Sequence, residues 1–279
     1  MLKSYMGVSR LQNPTSTDAD AETQIRRIEA DGGKVVDAAW LRLVIGTLKA
    51  QGIYTSCKFL ADANFAFKNA GDNKVSKLYD ISGNNNDAVQ ATAANQPIWT
   101  KNVQGGRYGM VFDGTDDVLS GNSSTYTTQF TIMAVANRTA NGSYSHIMIV
   151  PSTTAWQTPS YADFGFEYTA GSTVLNIMCD EDPKAATVTA PANGISFLVE
   201  GLYDGTTVYS FLNGAFGNSN IVGFTPNNTQ PLRIGSTGIA GNLYPFNGKI
   251  MSLANFSVYL TTAQRTALEA FLNAYYSIY

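Results

Sequence analysis

A single histidine, two cysteines and four glutamates beyond residue 60 make up much of what this 279-residue chain could use for covalent or proton-transfer chemistry. His146 opens the apolar run HIMIV (146–150), the setting of a core or edge histidine rather than of a catalytic base. Cys57 lies far from it in sequence, so no nucleophile–base pair is signalled. Cys57 and Cys179 are too few for a disulfide framework or a four-ligand zinc site. They read as two unrelated thiols, with one long-range disulfide as the alternative. Cleavage of a sugar bond needs two carboxylates about 5–9 Å apart. Of the late glutamates, Glu167 shares a strand face with Asp163, and Glu181 sits in Asp180-Glu181-Asp182-Pro183, an exposed turn. Glu200 and Glu269 complete the set. Catalysis is not expected, and would require acids assembled from distant strands. A glycine-rich phosphate loop is also missing.

Binding chemistry is better represented. Recognition of a sugar combines an aromatic face with amide, carboxylate or backbone groups that bond its hydroxyls. Residues 137–163, the longest stretch of weak strand signal, hold Asn141, Tyr144, Trp156, Gln157, Tyr161 and Asp163, stiffened by Pro151 and Pro159. Tyr144, Trp156, Tyr161 and Asp163 are the expected ligand-binding residues. Trp156 leads because STTAWQTPSY has no core-like periodicity; the alternative is that it packs as a lid over one end of the core. Asn242, Tyr244 and Phe246 form a second patch, whereas Trp40 and Trp99 sit in apolar contexts and read as structural. Asp113-Gly114-Thr115-Asp116-Asp117 can turn the chain between strands, its carboxylates accepting backbone N–H groups, or offer oxygens to calcium. No second ligand segment accompanies it, so the turn is expected and no cofactor is.

These residues need a scaffold, and the composition points to strands. Charged residues are only 14% of the chain and the net charge is −3, without a Lys/Arg cluster, which argues against a nucleic-acid partner. No run of about 18 apolar residues spans a membrane, and the start lacks the apolar core of a secretory signal. The N-x-S/T triplets at Asn122, Asn137, Asn141, Asn227 and Asn255 read as chance matches in an Asn-rich chain. Residues 1–58 carry eight basic and six acidic side chains, net +2; residues 59–279 carry ten and fifteen, net −5. The first part reads as two short helices. One starts at Asp18 and stops at Gly32-Gly33; the other, capped by Asp37, has Leu41, Val44, Ile45 and Leu48 on one face and ends at Gly52. Such a hairpin buries little alone and must pack on the larger part or on another protein. Beyond residue 60, apolar runs such as FTIMAVA (130–136), FGFEY (164–168), ISFLVEGLY (195–203) and TVYSFL (207–212) alternate with breaks such as FDGTDD, YDG and LNGAFGN. This pattern predicts an all-β, two-sheet antiparallel sandwich over roughly 75–260, closed by a helix at 262–276 with a Thr261/Gln264 capping box.

LYDISGNNNDAVQ (78–90), QPIW (96–99) and MVFDGTDDVL (110–119), in that order, resemble the opening of the laminin-G-like, concanavalin A-like lectin/glucanase jelly roll. VEGLYDGTTVYSFLNGAFGN (199–218) is similar to that family's strand–DG–strand–NG hairpin, and LRIGS (232–236) with FNGKIMSLANFSVYLTTAQRTALEAF (246–271) to its closing strands and helix. The likeness covers about 200 residues and implies the fold, not the activity, since lectins, glycosidases, adhesion modules and virion proteins share it. The glucanase branch carries E-x-D-x-E on one strand; none of the four late glutamates begins it here. The helical leader resembles those of tailed-phage structural proteins. Together the likenesses imply a non-enzymatic bacteriophage virion protein, assembled in the host cytoplasm. Residues 1–60 would be a helical leader joining other virion proteins, and residues 61–279 a jelly roll meeting host-surface glycan or partner proteins. A homo-oligomer is compatible, though no heptad supports one. The alternatives are a glycoside hydrolase on the same fold and a purely structural cement protein.

Overall fold

Asp18 accepts the N–H groups of Asp20 and Ala21 and so starts helix α1, Ala19–Ala30, which stops where Gly32 turns left-handed at φ +74°. Asp37 caps α2, Ala38–Ala50, through the N–H of Trp40 at 2.8 Å, and Gly52 ends it at φ +68°. The computed structural model describes residues 18–69, 71–122, 128–151, 162–180, 185–223, 230–237 and 244–279. Within them the strands, in chain order, begin with β1 Lys34–Val35, β2 Cys57–Asp62, β3 Ala66–Asn69, β4 Val75–Leu78, β5 Ala88–Val89 and β6 Ile98–Gln104. They continue with β7 Arg107–Asp113, β8 Leu119–Ser120, β9 Phe130–Arg138, β10 Ser145–Val150, β11 Ala162–Tyr168 and β12 Val174–Asp180. The last six are β13 Ala185–Thr189, β14 Ser196–Tyr203, β15 Thr207–Leu212, β16 Ala215–Ile221, β17 Arg233–Ile234 and β18 Asn247–Phe256, before helix α3, Thr262–Tyr276.

The strands form two antiparallel sheets. Sheet A runs β1-β3-β4-β5-β8-β17-β10-β11-β12-β13, and sheet B runs β16-β15-β14-β9-β18-β7-β6 with β2 added on β18. The sandwich and the closing helix are as expected, including the Thr261/Gln264 capping box. The sheets also draw in strands before residue 75. Those were missed because β2, with five of six residues buried, shows no period-2 alternation.

Two cores follow from the central strands of sheet B being buried on both faces. Along β14, Phe197 and Val199 face sheet A while Leu198 faces the helices. Gly201 on the same strand must be glycine, since a Cβ there would lie 2.3 Å from Ile177 of the opposite sheet. The second core lies between the outer side of sheet B and the helices, where Trp40 stacks on Tyr275 at 3.5 Å and on Phe271 at 4.4 Å. The helical leader therefore packs on its own sandwich. Arg27 of α1 pairs with Asp87 at 2.8 Å, and the expected 60/61 boundary falls within β2. Asp87 belongs to the YDISGNNND motif, whose Asp80 accepts the N–H groups of Leu60, Ser82 and Asn86. That motif is thus a structural knot tying β2 and α1 together. Cys57 and Cys179 lie buried in different cores and are not joined to each other.

Candidate functional site

On β11 and β12 the residues Phe164, Phe166, Tyr168, Leu175 and Ile177 point into the sandwich. The alternate row points away from it, and register places His146, Glu167 and Asn176 side by side across β10, β11 and β12. His146 Nε2 and Glu167 Oε2 share a hydrogen bond at 3.0 Å, and Asn176 Nδ2 donates to Glu167 Oε1 at 3.3 Å and to Thr169 at 3.2 Å. All three are buried. The row continues toward the surface. His146 N–H donates to the carbonyl of Tyr244, the two rings meet edge to face at 5.9 Å, and Tyr244 meets Tyr144 edge to face at 6.0 Å. Tyr144 is 38% exposed. Tyr244 holds φ +45°, a strained conformation for a bulky residue that clusters at binding and catalytic sites.

Beside this aromatic pair lies a cleft of about 120 Å³ lined by Gly114, Asn141, Ser143, Ser145, Pro245 and Asn247. None of these lining groups is ionisable, so the cleft can offer neutral hydrogen bonds to a polar ligand. The acidic turn adjoins it. Asp113 Oδ1 accepts the Thr115 N–H at 2.7 Å, and Asp117 Oδ2 accepts the Asp113 N–H at 2.9 Å, which is the turn chemistry read from the sequence. Burial first, then the charges of Asp113 and Asp116, push the Asp117 carboxyl up to about 6. One oxygen from each of Asp113, Asp116 and Asp117 lies within 4.8 Å of the others. Three carboxylate oxygens are about half of the set that calcium takes.

Of the expected site residues, Tyr144 stands at the surface end of the row. Asp163 lies on β11 where the register shifts between Ala162 and Phe164. Trp156, Gln157, Tyr161 and Asn242 lie outside the described residues. The structure joins Tyr144 to Tyr244, which the sequence had placed in separate patches, and it removes Phe246, wholly buried in the core between the sheets. Trp40 and Trp99 are packing residues; Trp99 stacks on Tyr108 at 3.9 Å. Sequence reasoning missed the partners of His146. The available signal was a lone polar residue within each apolar run, Glu167 in FGFEY and Asn176 in TVLNIM. A carboxylate pair does form elsewhere. Glu200 and Glu269 meet beneath α3, where Arg265 approaches Glu200 at 3.7 Å, bonds Glu269 and lies over the Phe211 ring at 3.8 Å. Burial, then Glu269, raise the Glu200 carboxyl well above the usual range, and both acids are closed off from solvent.

A family model described as the concanavalin A-like lectin/glucanases superfamily matches residues 112–264. No curated protein matches the chain. Among solved structures, a Trypanosoma rangeli sialidase in complex with 2,3-difluoro-KDN is similar with a TM-score of 0.54 and 13% identity, over 85% of this chain and 40% of that one. The binding domain of botulinum neurotoxin serotype D gives a TM-score of 0.55 at 12% identity, over 79% and 52%. Domain 4 of AbnA, a GH43 extracellular arabinanase from Geobacillus stearothermophilus, in complex with arabinotriose, gives 0.53 at 14% identity, over 77% and 98%. This chain thus spans well under half of the sialidase, and identities this low speak for the fold alone. No helix among the described residues is long and apolar enough to cross a membrane.

Proposed function

The chain belongs to the concanavalin A-like lectin/glucanase superfamily, and from that premise we propose that it is a non-catalytic, glycan-binding adhesion module. The observation that carries this reading is the exposed Tyr144 ring braced on the strained Tyr244 beside a neutral cleft of Asn141, Ser143 and Asn247. An aromatic face for a sugar ring and uncharged groups for its hydroxyls are what such recognition uses. The AbnA domain, seen with arabinotriose, is matched by this chain over almost its whole length, which supports the same reading. Burial of the described glutamates supports the absence of turnover. The described glutamates Glu167, Glu200 and Glu269 are enclosed, so none of them can flank a glycosidic bond. No cofactor is required, and binding persists in a chelator.

In the wider reading the module belongs to a bacteriophage virion and is carried through residues 1–60. Its support is the likeness of the helical leader to those of tailed-phage structural proteins. Since α1 and α2 turn their apolar sides inward, a virion partner would meet outward residues such as Arg26 and Glu29. A glycan array, followed by calorimetry on Tyr144→Ala, tests the main claim. The substitution should lower affinity about tenfold, the weight of one stacking ring, with an unchanged unfolding temperature. Release of reducing ends from a bound glycan would show an enzyme instead.

A further inference from the structure

Strands β13 and β16 end their respective sheets on the same side of the sandwich, and the seam between them opens into a cleft of about 420 Å³. That is within the range of about 300–1,000 Å³ typical of small-ligand sites. Its walls carry Thr187, Thr189 and Asn218 as polar groups and Val174, Leu212 and Phe216 as apolar ones, and no ionisable side chain among the described residues lines it. The polar wall is rigid. Asn218 Oδ1 accepts the Thr187 N–H at 2.6 Å, Asn218 Nδ2 donates to Thr187 Oγ1 at 2.9 Å, and Ser210 donates to the Thr187 carbonyl at 2.9 Å. Gly217 allows this approach, since a Cβ would lie 2.5 Å from Val188 Cγ1. Thr189, two residues along β13, is exposed, and the Phe216 ring stands 58% exposed at the lip.

The rest of β16 is as unusual. All seven residues are exposed, none is charged and none is proline, and Ile221 is 77% exposed. Edge strands are ordinarily protected by charge, proline or a covering element, because a bare neutral edge invites pairing with other chains.

We propose that the β13–β16 seam is a second ligand site, for a neutral saccharide, separate from the Tyr144 surface. A carboxylated sugar would bring a charge that nothing in the lining pairs, whereas hydroxyls meet Thr and Asn groups and a ring C–H face meets Phe216. The site does not depend on the Tyr144 reading, and the test separates them. The probe is an array of neutral hexose and pentose oligosaccharides beside sialylated and uronate counterparts. The strongest neutral hit is titrated into the isotope-labelled protein while backbone amide shifts are followed. The expected result is shifts in 187–189 and 215–218, with the affinity read at those amides lowered about five- to tenfold by Phe216→Ala and by Thr189→Val. Both substituted residues are exposed, so unfolding temperatures should hold. Shifts confined to 141–145 would overturn the seam and leave the Tyr144 site standing. Preference for carboxylated glycans, loss of neither affinity in the two seam variants, or a sugar-indifferent dimer joined through β16 would each overturn it too.

Discussion

On the outer side of sheet B, the polar groups Asp62, Glu200 and Arg265 are sealed beneath the helices. On the outer side of sheet A, the row His146–Glu167–Asn176 leads through Tyr244 to Tyr144 at the surface. Both regions contain the residue types from which chemistry is built, and burial alone does not separate them. The partners do. Asp62 accepts from Tyr276 at 2.6 Å, from Trp40 at 3.3 Å and from Asn64, so it joins α2, α3 and β2 and has no side left for a ligand. The Glu167 row instead fixes, through half-buried Tyr244, the position of the exposed Tyr144. A buried polar group that ties elements together is scaffold, while one that braces a surface residue is part of a site.

The largest expected effect comes from removing the cover of sheet B. Deleting residues 1–56 strips Trp40, Leu41, Val44, Ile45 and Leu48 from the second core. At about 1.5–3 kcal/mol each, that approaches the whole stability of about 5–15 kcal/mol, so no cooperative thermal transition should remain. A soluble truncated sandwich melting normally would break the comparison. Next, Trp40→Ala should cost about 3–5 kcal/mol in denaturant unfolding, since the indole stacks on Tyr275 and Phe271. Replacing His146 by Ala leaves a buried Glu167 oxygen without its partner and should cost about 1–3 kcal/mol. Unlike Trp40→Ala, it should also weaken glycan binding, because Tyr244 loses its brace. Equal binding in the two variants would erase the distinction between scaffold and site.

The smallest effect concerns Asp117. Its folded carboxyl, raised to about 6 by burial and by its acidic neighbours, binds a proton more tightly than the unfolded chain does near 3.9. Its favourable contribution is therefore full below about pH 4 and is lost as pH rises through 6. Asp117→Asn should raise the melting temperature by about 2–4 °C at pH 7.5 and leave it unaltered at pH 4. The same gain at both pH values would show that its charge is not the cause.

The helices were legible because capping is local. Asp18, Asp37 and the Thr261/Gln264 box each act within three residues of themselves. Strands with one wet face, or with long apolar runs, were legible too. β16 was legible only through its turn: Asn213-Gly214 marks a hairpin, but AFGNSNI has neither alternation nor apolar density to give the strand's length. Tyr144 could be picked out by composition and setting. Its support could not, since Glu167 is 21 residues from His146 and 9 from Asn176, and their meeting depends on register and on the irregularity between His146 and Met148. Phe246 was misplaced because a glycine-rich neighbourhood looks like a turn even where its aromatic residue points inward.

Strand β18 has consequences for the order of assembly. It bonds β9, β7 and β2, so it holds the middle of sheet B, yet it is synthesised after all three of them. During synthesis β2 must wait for a partner some 190 residues downstream, on the order of ten to forty seconds at ordinary elongation rates. For that interval β9 and β14 can pair, but their helix-facing sides have neither β18 nor α3 beside them. The nascent chain is then most exposed to aggregation and most dependent on chaperones, and a ribosome stalled before residue 247 leaves a product that cannot close its central sheet.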